Sequence, residues 1–127
     1  IQLTIKMMED LLPDDLGISV SYPLPGTPFY EKVKDQLKVK TNWTDSDELA
    51  LMFSNTYPRE FYKQLHRYVH KNFRLHQGYE SIGKLLTNPT GINYSNLRRA
   101  ASVGYYLPAA FIEKQKLKKI EQQAAVL

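Results

Sequence analysis

The chain has 127 residues, 43% of them hydrophobic and 24% charged, with a net charge of +4. That is one domain's worth of chain with a modest core, and no apolar run approaches the ~20 residues of a membrane span. Cysteine is absent, which excludes disulfides, thiolate zinc sites and any cysteine-ligated cluster held by this chain and is compatible with a cytoplasmic location.

Ile1, Ile5, Met8, Leu11 and Leu12 recur at helical spacing, so residues 1–12 read as an amphipathic helix. They lack the basic start and small-residue cleavage site of a secretory leader. No capping residue precedes Ile1, as expected of a chain cut from a longer one. Pro13-Asp14-Asp15 closes the helix. Ile18 and Val20 then alternate with Ser19 and Ser21, and residues 16–22 are expected to form a strand. A single strand cannot hide both its edges, so this one requires neighbours from elsewhere.

Pro23 and Pro25 restrict the backbone and remove two donors. Gly26 allows a positive-φ turn, Thr27 suits an N-cap, and Pro28 suits the first helical position. A helix over 28–37 follows, with Phe29, Val33 and Leu37 inward and Glu31 at its positive end. Residues 39–57 are irregular. Asp45, Asp47 and Glu48 beside Trp43 read as capping chemistry rather than a calcium loop, which needs a longer oxygen pattern and a central glycine.

Pro58 opens a strong helix to about Phe73 or beyond, with Phe61, Leu65, Val69 and Phe73 as its apolar stripe. A short helix is expected over 78–86, then a break at Asn88-Pro89-Thr90-Gly91. Ser95 is the expected N-cap of a helix over 96–106. Pro108 is expected to kink or restart it, and residues 109–124 continue as a Lys- and Gln-rich helix. Lys114, Lys116, Lys118 and Lys119 read as a solvated helix face, so no nucleic-acid partner is inferred.

His66 and His70 are four apart on one helix, which is metal-pair spacing. No third ligand is placed beside them by spacing, and the zincin pattern is missing, so no metal site is assigned. The nine tyrosines supply rings with polar tips, suited to a wet helix–helix interface. Read from its residues alone, the chain carries no complete active site.

One ordered series adds to this. Asp14-Asp15-Leu16-Gly17-Ile18-Ser19-Val20-Ser21-Tyr22-Pro23-Leu24-Pro25-Gly26-Thr27 is followed by Phe29-Tyr30. Thr41-Asn42-Trp43-Thr44-Asp45-Ser46-Asp47 comes next, then Leu49-Ala50, Met52-Phe53, Phe61-Tyr62 and Leu65-His66. Residues 1 to about 73 thereby resemble the C-terminal part of cobalamin-binding radical S-adenosylmethionine (SAM) proteins. The likeness is to the group of anaerobic magnesium-protoporphyrin IX monomethyl ester oxidative cyclases and their relatives.

The resemblance implies a fold of α+β class, mainly helical. Residues 1–38 would be the last helix-strand-helix portion of a radical SAM barrel, and residues 39–127 a C-terminal helical extension. It implies a parent enzyme using SAM, a four-iron four-sulfur cluster and cobalamin, with none of these held by this chain alone. Ser21, Tyr22, Pro23, Pro25 and Gly26 would lie nearest the cofactor, at the end of the sixth barrel strand, with no catalytic residue. The implied partners are the upstream barrel and cobalamin domain, with self-association of the chain as a further option. The alternative of a different class is an independent helical protein-interaction module.

Overall fold

The computed structural model describes residues 1–19, 23–36, 57–91 and 93–125. They form four α-helices: α1 (Gln2–Leu11), α2 (Pro28–Val33), α3 (Arg59–Thr87) and α4 (Tyr94–Ala125). A 3-10 turn at Lys34–Gln36 extends α2, and another at Pro89–Gly91 joins α3 to α4. At 1.5 Å per residue, α3 and α4 are each roughly 45 Å long. They lie antiparallel as a hairpin, pairing Gln64 with Glu113 at one end and Gly78 with Val103 nearer the connection.

The core gathers at the end of the hairpin away from that connection. Phe61, Tyr68, Val69 and Phe73 of α3 meet Ile5 and Met8 of α1 and Leu117 of α4. Three of the four expected stripe residues of α3 are buried, and Leu65 is partly buried against the same cluster. α1 therefore buries only its Ile5–Met8 face. It ends at Leu12, whose φ of 38° is left-handed and whose N–H donates to the Met8 carbonyl at 3.0 Å. Pro13 cannot continue the helix.

The expectation of an α+β fold ending a radical SAM barrel is corrected by this architecture. Among the described residues there is no strand, and 82% of them are helical. Residues 16–19 of the expected strand are coil. The alternation that suggested a strand is met differently. Leu16 and Ile18 lean on the helical cluster while Gly17 and Ser19 face outward. A period of two shows only that the chain is extended over an apolar surface, and not that a neighbour completes a ladder. Residues 20–22, the rest of the expected strand, lie outside the described residues, as does Leu37 of the expected α2 stripe.

Two helix boundaries also move. The expected helices 58–73 and 78–86 are one continuous α3, and the helix runs through Gly78. The reason is packing. A Cβ on Gly78 would lie 2.4 Å from Val103 Cγ2 and 3.0 Å from the Arg99 carbonyl oxygen. The glycine is thus the point of closest approach of α3 and α4, and its contact outweighs a helix-propensity penalty of about 1 kcal/mol. Gly78→Ala is expected to lower stability by roughly 1–2 kcal/mol despite its higher propensity. Adding Val103→Ala removes the nearer clash and should recover part of the loss. Urea denaturation of the two variants checks this, and a stabilised Gly78→Ala would contradict it.

The helices expected on either side of Pro108 are likewise one α4. Proline has no N–H, so the Gly104 carbonyl has no helical donor there. The helix continues because Ala110, Glu113 and Leu117 beyond it are buried. The expected cap moves too. Asn93 rather than Ser95 starts the helix, its Oδ1 accepting from the Asn96 N–H at 2.8 Å.

Candidate functional site

The turn at Pro23–Thr27 forms as its residues demand. The Thr27 N–H donates to the Leu24 carbonyl at 3.1 Å, closing a four-residue turn with Pro25 and Gly26 in the middle. Gly26 has φ +83°, the value the third position of a type II turn requires and the one at which a side chain is strained. Thr27 Oγ1 then accepts from the Tyr30 N–H at 3.2 Å and donates to the Leu24 carbonyl at 2.7 Å. One hydroxyl thus caps α2 and ties it to the turn.

Of the five residues assigned to the cofactor end of the strand, Pro23 is buried, with less than 2% of its surface exposed. Pro25 and Gly26 are exposed at the tip of the turn, and Ser21 and Tyr22 lie outside the described residues. The acidic cluster Asp45, Asp47 and Glu48 also lies outside them.

The remaining polar chemistry sits in the seam between α3 and α4. Glu113, buried at 6% exposure, accepts from Lys71 Nζ at 2.6 Å and from Gln64 Nε2 at 2.5 Å. Gln64 Nε2 also reaches the Glu113 backbone carbonyl at 3.0 Å. The Lys71 and Gln64 hydrogen bonds hold the Glu113 carboxyl at about 2, well below the ordinary value, against the opposing effect of burial. Such a group is ionised and a poor base at neutral pH. It fastens the hairpin. Its burial is not legible in the sequence, where Glu113 stands beside the lysines of a solvated helix face. Its partners are 42 and 49 residues away.

A second seam joins α1 to α3. Glu9 accepts from Asn72 Nδ2 at 2.7 Å. His76 Nδ1 pairs with the Asn72 backbone carbonyl at 2.9 Å, and its Nε2 lies 4.0 Å from Glu9. His76 thus bonds within α3 with Glu9 of α1 nearby, and among the described residues it forms no group of three with His66 and His70.

His66 and His70 do meet. Their Nε2 atoms are 3.1 Å apart, so one ring donates and the other accepts. Burial, then the neighbouring His66 and Arg74, lowers the pKa of His70 and favours its neutral form. Among the described residues no group of three metal-ligating side chains forms.

Some of the tyrosines pack against other side chains. Tyr57 stacks on Phe61 at 4.1 Å, Tyr68 is buried under Lys114, and Tyr105 meets Tyr106 edge-on at 5.0 Å.

Two apolar faces are left uncovered. On α1, Leu3, Met7 and Leu11 recur every fourth residue and are exposed, Leu3 at 84%. On α4, Tyr94, Leu97, Tyr105 and Ile112 fall on one side at helical spacing, with Ala101 and Pro108 between them, and all are exposed. The side facing α3 is formed instead by Val103, Ala110 and Leu117. α4 is thus apolar on two opposite sides, a pattern that belongs to a helix covered on both. Among the described residues no helix is long and apolar enough to cross a membrane.

No protein-family model, no curated protein and no solved structure matches the chain.

Proposed function

We propose that this chain is the C-terminal part of a cobalamin-dependent radical SAM oxidoreductase, akin to the anaerobic magnesium-protoporphyrin IX monomethyl ester cyclases. Its share of the work is to pack against the catalytic barrel and cover the site. The sequence series from Asp14 to His66 supports the family, and the observation that carries the covering role is the pair of uncovered apolar faces on α1 and α4. Contiguous apolar surface of this kind marks an interaction site. The occupant in this reading is the barrel and cobalamin domain of the same enzyme.

The chain has no cysteine. It therefore cannot supply the thiolates of the iron–sulfur cluster. The turn at Pro23–Thr27 presents Pro25 and Gly26 at its tip, where backbone rather than side chains would border the cofactor.

The test is the gene product purified without oxygen. Iron, sulfide and cobalamin in the protein, with 5′-deoxyadenosine formed from SAM under reduction, are the expected results. A product without cluster, cobalamin or SAM cleavage overturns the reading. In that case the second reading stands, an independent helical interaction module. It is favoured by the closed core that α1, α3 and α4 build among themselves around Phe73, which has 0% exposure.

A further inference from the structure

A cleft of about 480 Å³ opens between α3 and α4 near the connected end of the hairpin. Arg74 lines it from α3, and Arg98 and Arg99 line it from the first turns of α4, with Gln77, Ser95 and Tyr106 around them. The close approach at Gly78 brings these cations together. The Arg99 carbonyl lies against Gly78, and Arg74 is one turn before that glycine on α3.

The charges are poorly balanced. Among the described residues no carboxylate pairs with Arg98 or Arg99. Arg74 has only Asp15, 3.7 Å away, whose side chain is 86% exposed. An exposed pair at that distance contributes little. Like charges gathered in one cleft repel, and an anion between them relieves this.

The cleft is also preorganised. Gln77, at 2% exposure, accepts from Arg74 Nη1 at 2.9 Å while its Nε2 donates to the Asp14 carbonyl at 3.1 Å. A buried amide thus holds the orientation of one guanidinium. Ser95 and Tyr106 also line the cleft and bring two neutral hydroxyl donors. Planar guanidinium forks match phosphate oxygens two at a time. The volume lies in the range of small-molecule sites, but the lining is polar, which selects against an apolar ligand.

We propose that this arginine cleft binds a small phosphate-bearing ligand, with Arg74, Arg98 and Arg99 clamping the phosphoryl oxygens. This does not depend on the radical SAM reading. The Lys-rich stretch at 116–119 is not part of the site, since Lys118 lies roughly 28 Å along α4 from Arg99, well beyond the screening length at 0.15 M salt.

The experiment is calorimetric titration of the intact gene product with inorganic pyrophosphate at 0.15 M salt. Saturable binding is expected, weakened at least about tenfold by Arg98→Gln with Arg99→Gln and unchanged by Lys118→Gln with Lys119→Gln. Arg74→Gln, on the other helix, should weaken binding as well and supplies an independent measurement if the double arginine variant does not fold. Absence of saturable binding overturns the proposal. So does affinity that survives loss of the arginines, or that falls equally in the lysine variant, which would indicate diffuse charge.

Discussion

Phe73→Ala is expected to cost about 3–5 kcal/mol of stability. For a chain of this size that corresponds to a fall in Tm of roughly 10–20 °C. Phe73 has 0% exposure and stands where α1, α3 and α4 meet, in one cluster with Ile5, Met8, Val69 and Leu117. Its ring is shared by three helices. Truncation therefore leaves a cavity that no single side chain can fill by changing rotamer. Phe111→Ala is the matched control, since Phe111 is 62% exposed. It should stay within about 0.5 kcal/mol in the chain by itself. Urea denaturation of both variants decides the matter. Equal losses would mean that the core does not lie where α1 crosses the hairpin.

Glu113 carries the second large effect, and it is readable as a pH dependence. Its carboxyl sits near 4.5 when unperturbed and at about 2 in the fold. A depressed pKa contributes stability above the unfolded value. The contribution is full above about 4.5 and is lost as pH falls from there toward about 2. The size is of the order of 3 kcal/mol. Wild type should therefore lose stability steeply over that acid range, and Glu113→Gln should flatten this part of the profile. Glu113→Ala should cost about 3 kcal/mol at neutral pH, because it strips the partly buried Lys71 of its partner. Gln64 loses less, since its Nε2 keeps the Glu113 backbone carbonyl at 3.0 Å. Thermal melts from pH 2 to 7 on the three proteins check this. A Glu113→Gln protein that follows the wild-type profile would show that the ion pair is not formed.

Much of the helical content was legible. The stripe Phe61, Leu65, Val69 and Phe73 marks the inner side of α3, and Thr27 with Pro28 marks the start of α2, as observed. The left-handed Gly26 followed from the proline-glycine turn. The expected strand did not survive over residues 16–19, because Leu16 and Ile18 alternate over helices and not within a sheet. The separate short helix expected from Gly78 is instead the continuation of α3, although glycine is locally a weak helix former. Here it is the one residue small enough for Val103 to approach. Pro108 misled in the same way, since the burial of Ala110, Glu113 and Leu117 beyond it carries α4 through.

The candidate sites divide similarly. The turn residues Pro23, Pro25 and Gly26 could be picked out by type and order. The arginine cleft could not, since Arg74 and Arg98 are far apart in sequence and neither belongs to a motif. The same holds for the Lys71–Glu113 pair, whose members lie 42 residues apart and meet only when the hairpin closes.

Sequence by itself determined where α2 and α3 start, which faces of α1 and α3 are apolar, and the absence of any thiolate ligand in this chain. These depend on residue type and on interactions within about four residues along the chain. Tertiary structure alone decided that Gly78 and Pro108 lie inside helices, that Leu16 and Ile18 serve a helical core, that Glu113 is a buried anion, and that three arginines share one cleft. Each of those follows from partners brought alongside by packing, and at Gly78 and Pro108 these contacts outweigh local penalties of about 1 and about 3 kcal/mol.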